Sequence, residues 1–318
     1  MGGNAFNKLY EGGLAVPGVV PIYAENVIPT LEDISKKILQ RFFNLKSGQY
    51  AILGSGGKKM IGTTSGDIDI AIDSNEIAKN LKVDKSEVGN SIVAIIKQAY
   101  PKMELHYMKG FGIVSIAYPI KGGNGNVQVD LVMTDDIRFA EWLFWSPDFT
   151  KNESEWKGLY RTELIKSICA AVPLAEFTEY YDEELEGQFK GSLKKLGRNL
   201  ISPTEGYQQT IKSFVGKKGQ PVKSGTTEFT NFLSKDPEFI TKSLLGDHAK
   251  VSDTNSFETV WKAMNHKDFP YKDYTSDIIK YFLEILNTKQ LPIPKELSVY
   301  EGFEPLEKFK FRQLLWQE

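Results

Sequence analysis

Cysteine and histidine are scarce in this 318-residue chain, which has one Cys and three His. The lone thiol, Cys169, lies in an apolar run with helical spacing, so an internal disulfide framework is excluded and a reducing, cytoplasmic compartment fits. Three scattered histidines argue against a zinc site. Long apolar runs are lacking too. Nothing approaches the roughly 18 residues of a membrane span, and MGGNAFNKLY has neither the charged nor the apolar zone of a signal peptide. Met1-Gly2 opens like a myristoylation signal, but Phe6 stands where Ser or Thr is required. An excess of either charge is also missing, at 39 basic against 41 acidic residues. A nucleic-acid partner would therefore have to be met by a local basic patch and not by the overall field.

What is present centres on Tyr50 to Asp73, YAILGSGGKKMIGTTSGDIDIAID. An apolar run, Tyr50-Ala51-Ile52-Leu53, leads into a turn of small residues, Gly54-Ser55-Gly56-Gly57, followed by Lys58 and Lys59. A second strand-like run then alternates acids with isoleucines. On a strand, Asp67 and Asp69 share one face while Ile68, Ile70 and Ile72 enter a core. Two carboxylates side by side repel unless a cation lies between them, and an oxygen-only cluster suits magnesium or manganese. The glycine turn matches neither G-x-x-x-x-G-K-[ST] nor G-x-G-x-x-G, so those phosphate motifs are rejected.

Along the chain, residues 1–29 read as an irregular arm. Thr30 caps an expected helix that ends near Lys46-Ser47-Gly48, and Ser74-Asn75-Glu76 opens another, followed by a longer one over Lys85 to Gln98. Met103 to Met108 and Phe111 to Ile120 read as strands, and the turn from Lys121 to Asn126 leads into Val127 to Val132, which carries a third acid, Asp130. Helical spacing then dominates: Ile137 to Trp145, Gly158 to Val172, and runs near Thr227 to Leu233, Glu238 to Leu245, Ser256 to Asn265, Ser276 to Thr288 and Leu306 to Trp316. Glu176 to Glu186 is acidic and aromatic, Phe189 to Asn199 reads as a basic, solvated helix face, and Gly216 to Gly225 as a Lys- and Gly-rich loop. The fold class expected is α+β, with a mixed-sheet catalytic domain at 30–150 and a mostly helical domain at 151–318. Asp73 and Asp135 read as strand-end or capping residues, His106 and Glu104 as structural or exposed, and Trp142, Trp145 and Trp156 chiefly as core.

Taken together, Gly54-Ser55-Gly56-Gly57, Asp67-x-Asp69 and Asp130 resemble the DNA polymerase β-like nucleotidyltransferase superfamily. Ser65-Gly66-Asp67-Ile68-Asp69 is close to the family's wording, and either Gly54-Ser55 or Gly56-Gly57 can take its Gly-Gly/Ser part. More loosely, the chain is similar to unassigned nucleotidyltransferases of tailed-phage genomes. The resemblance implies a palm-like domain in which the turn opens a helix whose amides bind the triphosphate. It also implies that Asp67, Asp69 and Asp130 are both catalytic and metal-binding, holding two magnesium ions, with manganese as a substitute. Gly54, Ser55, Gly56, Gly57, Lys58, Lys59 and Ser65 become the substrate-binding set: small residues let backbone N–H groups approach phosphate, and the lysines add charge. Leu143-Phe144-Trp145-Ser146 lies where the β-like polymerases carry an aromatic Gly-Ser segment beside the sugar, here without the Gly-Ser pair. No paired-helix DNA-binding motif is evident, which argues against templated gap filling.

The expected activity is transfer of an NMP from an NTP to an acceptor hydroxyl with release of pyrophosphate. Lys190, Lys194, Lys195, Arg198, Lys217, Lys218 and Lys223 favour an RNA 3′ end as acceptor, without a template. A protein side-chain hydroxyl is the rival acceptor, and a non-catalytic nucleotide-binding module the rival of another class. No membrane partner is expected.

Overall fold

The computed structural model describes residues 19–172, 193–202, 205–215 and 226–300. Lys190, Lys217, Lys218, Lys223, the segment from Glu176 to Glu186 and the helix expected over Leu306 to Trp316 lie outside the described residues, as do residues 1–18. The chain divides into two compact units between Leu159 and Tyr160, and both mix helix with strand. No helix among the described residues is long and apolar enough to cross a membrane.

In the first unit β1 (Ile22–Tyr23) pairs with β3 (Thr64–Ser65), and β2 (Tyr50–Ile52), β4 (Asp67–Asp73), β5 (Leu105–Met108), β6 (Ile113–Pro119) and β7 (Asn126–Thr134) form one sheet. Its strand order is β2-β4-β7-β6-β5. Only β4 and β7 run parallel; the other pairs are antiparallel. Helix α1 (Ala24–Ile34) continues through a π-helical stretch, Ser35–Gln40, to Phe43. It starts six residues before Thr30, and Thr30 is not its cap. Thr30 is instead buried inside the helix, where its hydroxyl oxygen accepts from Lys121 N. Pro29, the sixth residue of α1, has no N–H to donate to Glu25 O, and the helix runs through it without that one bond. Helix α2 (Ser74–Leu81) is capped by Asp73, whose carboxylate accepts from Asn75 N and Glu76 N, and α3 (Val88–Ala99) follows.

Period-2 alternation sorts the sheet into two faces. Ile68, Ile70 and Ile72 of β4, Val129 and Leu131 of β7 and Val114 and Ile116 of β6 share a core with Ile34 and Ile38 and with Ile92 and Ile96 of α3. The opposite face carries Asp67, Asp69 and Ala71 on β4, Gln128, Asp130 and Val132 on β7, and Ser115 on β6. Helix α4 (Ile137–Leu143) covers only part of that face, where Ala140 packs with Leu53, Ala71, Ile113 and Val132. The two acids at the start of β4 therefore stay partly exposed.

The second unit holds an antiparallel sheet, β8 (Leu193–Ser202), β9 (Gly206–Val215) and β10 (Thr226–Ser234) in the order β10-β9-β8. Its helices include most of α5 (Gly158–Ala171), then α6 (Pro237–Leu245), α7 (Phe257–Met264) and α8 (Thr275–Thr288). Helix α5 is buried almost all round, with Tyr160, Leu164, Ile168 and Cys169 inside. Two helical expectations are corrected by this sheet. Thr227 to Leu233 is strand, and so is the basic run from Leu193, whose Arg198 is buried and not on a solvated face. Leucines at 193, 196 and 200 mimic helical spacing, but Gly197 weakens a helix and the run pairs along its whole length with Gly206–Val215, so tertiary pairing overrides local preference.

Truncating Ile70, fully buried in β4, should leave a cavity behind the acid pair. Equilibrium urea unfolding of Ile70→Ala should show a loss of about 2–5 kcal/mol.

Candidate metal centre and glycine turn

The parallel ladder sets Asp69 directly opposite Asp130 and Asp67 opposite Gln128. One carboxylate oxygen from each of Asp67, Asp69 and Asp130 lies within 4.8 Å of the others. All three expected acids thus converge. Asp130 is buried; its oxygens accept from Gln128 Nε2 at 3.0 Å each. The Ser115 hydroxyl, its cross-strand partner on β6, leans toward the same carboxylate without meeting full hydrogen-bond geometry.

Burial pushes the Asp69 carboxyl well above the ordinary value of 3.8, and repulsion from Asp67 and Asp130 adds to it. Asp130 is likewise raised by burial, a shift that Ser115 and Gln128 oppose and Asp67 increases. No Lys or Arg is bonded to Asp69 or Asp130 among the described residues. Three hard oxygen donors crowded together, two of them resisting ionisation, form a donor set that fits a divalent cation such as magnesium or manganese.

The glycine turn abuts this cluster. Leu53 N donates to Asp69 O at 2.8 Å, tying the start of the turn to β4. Gly54 has φ +62°, and a Cβ built there would stand 3.8 Å from Asp69 Oδ2. Lys58 N donates to Ser55 O and closes the turn, while the amides of Ser55, Gly56 and Gly57 meet no acceptor among the described residues. The helix implied by the family resemblance does not follow. Gly57 and Gly62 both adopt positive φ, and Thr63 N turns back to Met60 O, so the backbone leaves the right-handed region twice. These amides therefore belong to a turn and not to a helix N-terminus.

The remaining candidates separate by what they touch. Lys58 reaches away from the acids: Nζ donates to Ser146 O at 2.9 Å and sits 3.8 Å over the Trp145 ring. Burial lowers its pKa. The segment bearing Trp145 is itself bonded to the turn, through Gly54 N to Phe144 O and Phe149 N to Lys58 O, both 3.0 Å. Lys59 donates to Thr64 O, and burial and nearby Lys157 lower its pKa while Asp67 raises it. Lys59 thus lies within electrostatic reach of the acids. Ser65 is buried in the β1–β3 ribbon opposite Ile22, where it leads the backbone into Asp67. Trp142 is core; Asp135 pairs with Lys85 at 3.1 Å; His106 stands opposite Ser115 on β5. Sequence reading missed Gln128, Ser115 and Lys157. The first two were legible as members of the acid face, two residues before Asp130 and on its hairpin partner; Lys157 carried no local signal.

Because Asp69 has a raised pKa in the fold, its charge costs stability above that pKa, and the cost vanishes as pH falls toward the ordinary value of 3.8. Thermal unfolding of metal-free Asp69→Asn should show a higher Tm than wild type near about pH 8, with roughly 2–4 °C for each kcal/mol relieved. The difference should shrink to nothing as the buffer approaches about pH 4. No family model, curated protein or solved structure matches the chain.

Proposed function

We propose that the chain is a metal-dependent nucleotidyltransferase built on a polymerase β-like palm, moving an NMP from an NTP to an acceptor hydroxyl and releasing pyrophosphate. The observation that carries the reading is the meeting of three carboxylates within 4.8 Å on adjoining strands beside a turn with spare amides. Acids alone would suit many cations; spare backbone donors next to them suit an anion that brings phosphate oxygens.

Asp67, Asp69 and Asp130 would hold magnesium. Bound there, the cation supplies charge neutralisation for the triphosphate and acidifies the acceptor hydroxyl. The amides of Ser55, Gly56 and Gly57 bind the triphosphate oxygens, with Lys59 adding positive charge from the Asp67 side. Lys58 holds the turn in place through Trp145 and Ser146. Asp130 takes the proton from the acceptor hydroxyl at one carboxylate oxygen. The acceptor proposed is an RNA 3′ end, on the basis of Lys194, Lys195 and the basic residues around them. Buried Arg198 no longer contributes to that argument.

Incubation with each labelled NTP and magnesium, with total RNA and total protein as acceptors, tests the reading. Label should enter RNA with wild type and fall by roughly 10³-fold or more in Asp67→Asn/Asp69→Asn, the loss expected when several kcal/mol of transition-state stabilisation go. Label in protein would replace the acceptor. Retained nucleotide binding without transfer would replace the enzyme reading by a binding module.

A further inference from the structure

One member of the acid face is neither acid nor apolar. Gln128 stands opposite Asp67 in the ladder, two residues before Asp130 on the same face, and is 2% exposed. Its Nε2 donates to both Asp130 oxygens at 3.0 Å. Both Asp130 oxygens accept from this one nitrogen, which leaves Oε1 turned elsewhere. That Oε1 is buried and meets no donor among the described residues. The side chain is therefore oriented from the Asp130 end alone. Packing does not account for such a residue, because an apolar side chain would fill the space without ordering a long amide or burying an unmatched acceptor.

Its chemistry suits a different task. A Lys or Arg at this point would pair with Asp130 and cancel the negative field that attracts a cation, and an Asp or Glu would add a fourth repelling charge. A neutral donor orients the carboxylate and leaves its charge and its remaining lone pairs for another ligand. We propose that Gln128 is the positioning residue of the acid cluster: its amide holds the Asp130 carboxylate facing Asp69, so that a divalent cation meets three donors already aimed. The inference rests on the metal-dependent reading above.

Calorimetric titration of manganese into the full-length chain tests it, alongside steady-state kinetics. Gln128→Met keeps the length and removes the donor; Gln128→Asn keeps an amide that is one methylene too short to bridge, and carries the test if the Met variant does not fold. Either variant, folded by circular dichroism, should bind manganese about 10–100-fold more weakly and lose kcat by a similar factor. With manganese saturating for each variant, KM for the NTP should stay within about twofold, since the turn amides are untouched, whereas a merely structural defect would move both constants. Manganese affinity and kcat within about twofold of wild type in a folded variant would overturn the proposal while the metal reading stands. A wild-type chain that binds no manganese, or binds it as well after Asp67→Asn/Asp69→Asn, would bring down the metal reading and this proposal with it.

Discussion

Like-charge repulsion across one parallel strand pair is the constraint that everything around the site answers to. Asp69 and Asp130 are register partners, and Asp67 is on the same face two residues before Asp69. Left to themselves, these carboxylates would push β4 and β7 apart. The reverse face prevents it: Ile68, Ile70, Ile72, Val129 and Leu131 are buried there, each contributing about 1.5–3 kcal/mol relative to exposure. The alternation of the strand thus lets one face spend stability supplied by the other. That sharing also fits the place of the acids on two strands inside the sheet and not on an edge.

The glycine turn inherits its position from the same strand. Its start is bonded to Asp69 O and its first glycine to Phe144 O, so β4 and the segment after α4 hold it from two sides. Lys58 strengthens the second hold by lying over Trp145 with its ammonium on Ser146 O. A basic residue beside a phosphate-type turn invites assignment to the ligand. Here the side chain serves the turn itself, and Lys59 is the cation left on the Asp67 side.

Legibility followed locality. Asp67-x-Asp69 among isoleucines announced its two faces from four consecutive residues, and Asp73 before Ser74-Asn75-Glu76 announced its cap. Asp130 was readable because the turn before it fixed a hairpin. The second unit resisted reading for the opposite reason. Thr226–Ser234 and Leu193–Ser202 become strands through partners elsewhere in the chain, and leucine spacing in the latter pointed to a helix. Gln128 and Ser115 fall between these cases: their strands were visible, but that an amide and a hydroxyl would converge on Asp130 depends on register, which the sequence does not print.

The β4–β7 pairing also has a kinetic meaning. Asp69 and Asp130 are neighbours in the sheet although α2, α3, β5 and β6 separate them along the chain, so the acid cluster is a strongly non-local contact of the first unit. Loop-closure entropy delays such contacts relative to hairpins and helices. A chain still assembling has no closed set of carboxylates, and the acid cluster belongs to the completed sheet.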